Sequence, residues 1–196
     1  MVRTKDYDER TDGYRVWLSA DELDTFLGGI TEMDRRIALS LAGRCGLRAA
    51  EVTAVRPRDV VNGAAGRHVR VVDGKGGKTR SPPCPATLAS EIDAWAQAHS
   101  LDPDDHVVDV TTRTLRRWVE KRANELRAET HDEGWQYVGP HDLRRSWGQA
   151  LLESDVEPGM VMEWGGWADW ETFREHYLGA YSGKAEREQA AKVGWL

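Results

Sequence analysis

No stretch of about 18 consecutive apolar residues occurs in this 196-residue sequence, so no segment reads as a membrane-spanning helix. The first residues, MVRTKDYDERTDGYRVW, lack the apolar core of a secretory signal. Cysteine is nearly absent. Cys45 and Cys84 show neither a CxxC pattern nor a metal-ligand spacing, which excludes a disulfide framework and a cysteine metal centre and makes a reduced, cytoplasmic setting the expectation. No GxxxxGK[ST] loop cradles a nucleotide, and no cluster of acidic residues suggests a metal cage. Lysine is scarce too: of 27 basic residues only six are lysines (Lys5, Lys75, Lys78, Lys121, Lys184 and Lys192), against 33 acidic ones, for a net charge of -6. That balance fits a protein adapted to concentrated salt, whose charged surface keeps it soluble, and it equally fits an acidic protein from a GC-rich genome. Acidity argues against general affinity for nucleic acid, so any such contact must come from where the arginines sit.

What is present is organised by periodicity. A chain of this length suits one domain with a sizeable core. Residues 1–16 read as a loose leader or linker remnant. LSADELDTFLGG opens a helix, with Ser19 and Glu22 forming an S-x-x-E capping box and Leu23, Phe26 and Leu27 on one face. EMDRRIALSLAGRCG reads as a second helix with Ile37, Leu39, Leu41 and Ala42 in the core, and LRAAEVTAVRPRDV as a third that runs to Pro57. The alternating run RHVRVVDGKGGKTRSPP, with Gly74, Gly76 and Gly77 at its middle, predicts a β-hairpin. Thr87 is placed to cap LASEIDAWAQAH; TTRTLRRWVEKRANELRAE is amphipathic; Pro140 suits the first turn of the helix HDLRRSWGQALLES. The fold class expected is α+β, mostly helical, with one small antiparallel sheet.

Several cationic donors fall where they can converge. His141 and Arg144 lie three apart on a helix and so share a face, as do Arg48 and Glu51 in GLRAAEV. Lys75 and Lys78 sit at the glycine-rich hairpin tip. Guanidinium groups, an imidazole and an ammonium together suit a group with several anionic oxygens, and phosphate fits them better than carboxylate. Phosphoryl transfer without metal or nucleotide needs a protein nucleophile and cationic stabilisation.

GLRAAEV, DGKGGKTRSPP, HDLRRSWGQALLES and GGWADWETFREHYL, in that order, resemble the catalytic domain of the tyrosine recombinases, or phage integrases. The resemblance spans residues 17–181. It implies site-specific recombination or integration of double-stranded DNA, without cofactor or metal, through a 3′-phosphotyrosine intermediate. It implies that Arg48 and Arg144 grip the scissile phosphate, that His141 donates to it or helps deprotonate the nucleophile, and that Lys75 protonates the departing 5′ oxygen. Glu51 then orients the first arginine or the histidine. Trp167 takes a place more often held by histidine, with an indole N–H that donates but cannot titrate. Tyr177 is the implied nucleophile, although it follows Trp167 by ten residues where nine is usual, leaving His176 in the expected slot and Tyr181 as the other candidate. Lys78, Arg80, Arg117 and Arg145 are the expected DNA-backbone contacts.

An N-terminal DNA-clamping domain is implied by the resemblance as well, and this sequence is expected to begin where such a domain would end, whether it was removed or is naturally lacking. The resemblance also implies a homotetramer on DNA, with the tail helix of residues 182–196 exchanged between protomers. Supercoil relaxation of the type IB topoisomerase kind, or a degenerate DNA-binding regulator, are the alternative readings.

The charge balance yields a test. A salt-adapted protein keeps its fold and its DNA affinity in molar potassium chloride, where the screening length is about 3 Å. Thermal melts across a salt series check this, and a melting temperature that falls as salt rises refutes salt adaptation.

Overall fold

The computed structural model describes residues 1–6, 13–64, 66–72, 79–177, 187 and 190–193, with backbone alone at 172 and 175–177. The chain enters as paired strands where the sequence suggested a loose leader. Strand β1 (Arg3–Asp6) runs antiparallel to β2 (Tyr14–Trp17), with Arg3 opposite Trp17 and Asp6 opposite Tyr14. Long-range contacts hold it there. The Val16 amide donates to Asp142 Oδ1 at 3.1 Å and the Leu18 amide to Ser146 Oγ at 2.8 Å, while Val2, Val16 and Trp17 are buried.

Helix α1 (Ala20–Gly28) starts as its capping box predicts: Ser19 Oγ accepts from the Glu22 amide at 3.2 Å, and Glu22 Oε2 accepts from the Ser19 amide at 2.8 Å. Its far end is closed by Arg122, whose Nε donates to the Phe26 carbonyl and Nη2 to the Thr25 carbonyl, each at 3.0 Å. Helix α2 (Met33–Arg44) is buried without interruption from Ile37 to Gly43, and helices pack around it, because all of that stretch but Ser40 is apolar or glycine. Helix α3 (Ala49–Val52) is a single turn that stops well before Pro57. The backbone beyond it is drawn away: the Val55 carbonyl accepts from the Val107 amide at 2.9 Å, and a 3-10 turn follows at Pro57–Asp59.

The alternating run folds back on itself as expected, but it is not one hairpin. Strand β3 (Val60–Gly63) pairs with β4 (Gly66–Val69), and β5 (Val71–Val72) pairs with β6 (Thr79–Arg80). Prolines 82, 83 and 85 cannot donate to a ladder, so β4 meets the returning chain only through isolated bonds, Val69 amide to Pro82 carbonyl (3.0 Å) and Cys84 amide to Arg67 carbonyl (2.8 Å). Among the described residues three two-stranded ladders replace the single sheet. The fold remains mostly helical with small antiparallel pairs.

Helix α4 (Ala86–Ala98) begins after Pro85 rather than at a Thr87 cap. Helix α5 (Thr112–Thr130) is capped by Thr111. Helix α6 (Pro140–Glu153) lies against α2 and β2, followed by α7 (Pro158–Gly165) and α8 (Trp170–Tyr177). Both cysteines are free thiols inside the core. No helix among the described residues is long and apolar enough to cross a membrane.

Arg145 corrects a sequence expectation. It is not a surface contact for DNA: its side chain is 2% exposed, pairs with Asp142, and lies 5.3 Å from the Trp17 ring. Asp142 in turn accepts from the Gly139 amide at 2.9 Å and so closes the start of α6. Burial lifts the Asp142 carboxyl above its usual range, against the opposing pull of Arg145 and two backbone amides. Removing one partner of a buried pair strands the other, at a cost of about 3–5 kcal/mol. Arg145→Ala is therefore expected to lower unfolding stability by that amount in urea titration.

Candidate active site

Three segments meet at Glu51. Arg48 stands at the N-terminal boundary of α3, and Glu51, three residues on, reaches back to it: Oε2 accepts from the Arg48 amide at 2.6 Å and Oε1 from Arg48 Nη1 at 2.7 Å. The Arg48 side chain is nonetheless 41% exposed, whereas Glu51 is 13% exposed. Arg80 arrives from β6. Its Nη2 donates to Glu51 Oε2 at 2.6 Å and its Nη1 to the Trp164 carbonyl at 2.7 Å, and its side chain is 7% exposed. Arg80 was expected on the DNA surface. The structure buries it instead, as a link between β6, α3 and the end of α7.

Arg144 is likewise buried, at 1% exposure. One guanidinium nitrogen donates to the Gly46 carbonyl, two residues before Arg48, and the other to the Gly165 carbonyl at 2.6 Å. The guanidinium carbon lies 4.3 Å from the centre of the Trp167 ring, a cation–π contact. Gly46 and Gly166 make the approach feasible. Both are left-handed, at φ +64° and +69°, and a Cβ would fall 2.2 Å from Trp147 at the first and 2.6 Å from Arg80 Cδ at the second. Trp167 continues the stack onto Phe173 of α8, with ring centres 5.2 Å apart, and Tyr177 follows Phe173 by one helical turn as the last residue of α8.

His141 and Arg144 do not share an environment despite their spacing: His141 is exposed in the first turn of α6 and Arg144 is not. Arg117 is exposed on α5. Lys75, Lys78, Tyr181 and most of the tail lie outside the described residues. Lys192 of the tail donates to Asp155 Oδ1 at 3.1 Å.

Arg48, Arg80, Gly166 and Trp167 border a recess of about 170 Å³. On the other side of Arg48 a broader cleft of about 740 Å³ is lined by Arg56, Arg58 and Arg70, which sequence reasoning passed over. Asp104 pairs with Arg56 and Arg58, and Asp59 with Arg70 at 3.2 Å, so this cleft is cationic but partly neutralised. Arg48 sits between the two hollows and offers a half-exposed guanidinium to an anion in either. Sequence reasoning also missed the carbonyls of Gly46, Trp164 and Gly165. No side-chain pattern could have signalled them, because they are backbone acceptors.

The phage integrase family model matches residues 16–183. The chain is 29% identical over 194 residues to the tyrosine recombinase XerC of Pseudomonas fluorescens, covering 90% of this chain and 63% of the relative. It is 32% identical over 131 residues to the tyrosine recombinase XerA of Thermococcus kodakarensis, covering 66% of this chain and 45% of the relative. The chain thus spans less than two thirds of either relative's length. Among solved structures, the fold is similar to that of XerA recombinase, with TM-score 0.74 and 20% identity over 91% of this chain and 65% of that one. It is also similar to XerH recombinase bound to palindromic difH substrate in a post-cleavage complex, with TM-score 0.70 and 23% identity over 90% of this chain and 52% of that one.

Gly166 provides a direct probe of this geometry. Gly166→Ala places a Cβ against Arg80 and forces a left-handed alanine, which by itself costs about 1–2 kcal/mol. The expected outcome is a urea midpoint lowered by at least that much, while Gly13→Ala, also at positive φ but with nothing within 4 Å of the added carbon, loses only the conformational part.

Proposed function

Because the chain belongs to the phage integrase family, we propose that it is the catalytic part of a tyrosine recombinase that cuts and rejoins double-stranded DNA. The observation that carries this reading is the bond between the Arg144 guanidinium and the Gly46 carbonyl. It draws the HDLR helix start and the GLR turn, far apart in sequence, into one cationic centre beside Trp167.

In this mechanism the Tyr177 phenol gives up its proton and attacks phosphorus, forming a 3′-phosphotyrosine bond as the P–O5′ bond breaks. Lys75 protonates the departing 5′ oxygen. His141, at the exposed start of α6, donates to the phosphate or assists the phenol. Arg48 faces the phosphate from the rim. Arg144 reaches it by exchanging the Gly165 carbonyl for phosphate oxygens, and charge-assisted bonds of that kind are about twice as strong as neutral ones. Trp167 holds Arg144 by its ring and offers an N–H without titrating. The covalent ester conserves the energy of the cut bond, so rejoining needs no nucleotide.

The remaining DNA backbone follows the arginine-lined cleft beside Arg48, with Arg117 and Lys78 as further contacts. Residues 17–181 form the catalytic unit, working in the cytoplasm as a tetramer on two duplexes and exchanging the helix within residues 182–196. The relatives are recombinases, which favours joining over supercoil relaxation or a non-catalytic role.

A nicked suicide DNA substrate, which traps the covalent ester, tests the proposal. Wild type is expected to form an adduct resistant to denaturant. Tyr177→Phe abolishes it, and Arg48→Ala slows it by about 100- to 1000-fold, as for the loss of one oxyanion donor. An adduct that survives Tyr177→Phe but not Tyr181→Phe moves the nucleophile. Absence of any wild-type adduct overturns the catalytic reading.

A further inference from the structure

Resting on the recombinase reading, we propose that Arg80 is a positioning residue for strand cleavage: by occupying the far oxygen of Glu51 and the Trp164 carbonyl together, it keeps Arg48 turned to the phosphate and fixes the turn that carries Trp167.

The argument begins with the carboxylate. Glu51 has two oxygens and two guanidinium neighbours. A lone Arg–carboxylate pair adopts a two-pronged fork, in which both oxygens bind one guanidinium and cancel its charge. Here that fork does not form. Arg48 gives a single nitrogen to Oε1, because Oε2 is already taken by the Arg48 amide and by Arg80. Because Glu51 divides its oxygens between Arg48 and Arg80, Arg48 is only partly neutralised and retains attraction for an anion in the cleft. Exposure divides the labour in the same direction: Arg48 is 41% exposed and Arg80 is 7% exposed, so Arg80 acts through Glu51 rather than on DNA.

The second arm links two catalytic segments. The Trp164 carbonyl held by Arg80 immediately precedes the Gly165 carbonyl held by Arg144, and Trp167 stacks on Arg144 at the end of the same turn. Gly166 sits against the Arg80 stem with no room for a Cβ. The position of Arg80 in β6 also ties this turn to the strand pair whose connection carries Lys75.

Single-turnover adduct formation on the suicide substrate, together with DNA affinity across a potassium chloride series, tests the proposal. Arg80→Met is expected to cleave about 100-fold more slowly at saturating DNA, the penalty typical of a catalytic group displaced by about 1 Å. Its salt slope should fall by about one, as Arg48 turns from its phosphate to Glu51. Adding Glu51→Gln to Arg80→Met should recover much of the lost rate, because the amide no longer draws Arg48 off the cleft, and Arg80→Lys should cleave faster than Arg80→Met. A rescue of rate at an unchanged urea midpoint separates positioning from simple structural support.

Two results overturn the proposal: wild-type cleavage by Arg80→Met at saturating DNA, or a double variant Arg80→Met/Glu51→Gln that cleaves no faster than Arg80→Met. Should Arg80→Met fail to fold, Arg80→Gln, which retains neutral donors, replaces it with the same expectations. If that variant also fails to fold, the role is architectural and the proposal falls. A wild-type protein that forms no adduct sinks the recombinase reading itself, whereas a wild-type adduct with undiminished Arg80→Met cleavage sinks only this inference.

Discussion

The burial of guanidinium groups is the constraint on which this structure turns. Arg80, Arg122, Arg144 and Arg145 are all nearly withdrawn from water. A cation inside a protein is tolerable only when its N–H groups meet acceptors. Each of the four turns guanidinium nitrogens to acceptors, and Arg80, Arg122 and Arg144 join distant segments in doing so. Arg122 closes α1 from α5, Arg145 holds the start of α6 through Asp142, Arg144 joins the Gly46 turn to the end of α7, and Arg80 joins β6 to both α3 and α7. In a chain poor in lysine, the planar, multidentate guanidinium serves as the cross-link between elements.

Charge in the site follows from this division. Buried arginines satisfied by carbonyls keep their positive charge, since a carbonyl contributes a dipole and no compensating anion. Arg144 donates to two such carbonyls and sits on the face of Trp167, whose ring further favours a cation. The Glu51 carboxylate is shared between Arg48 and Arg80. An acidic protein can thus present a cationic pocket locally while its remaining surface stays negative.

Much of the architecture was legible in the chain. The Ser19–Glu22 box and the apolar run of α2 each express a local rule, and each element formed where that rule put it. The recombinase-like motifs were legible for the same reason, since short strings in fixed order survive without knowledge of the fold. The pairing of β1 with β2, the early end of α3 and the split of the alternating run were not legible. The first two depend on partners far along the chain, Asp142 and Val107, and the third on β3 taking β4 as its hairpin neighbour.

The arginines show the boundary most clearly. From sequence alone Arg80, Arg117, Arg144 and Arg145 are the same residue, and spacing could say only that some of them converge on an anion. The sequence by itself determined that a cationic, phosphate-suited set exists, on which motifs it rides and that the helices holding it would form, because these follow from residue chemistry and periodicity. Only the tertiary structure decided which guanidinium faces solvent and which is spent on a carbonyl or carboxylate. That decision is made by burial, and burial depends on which distant backbone groups the fold delivers to each side chain.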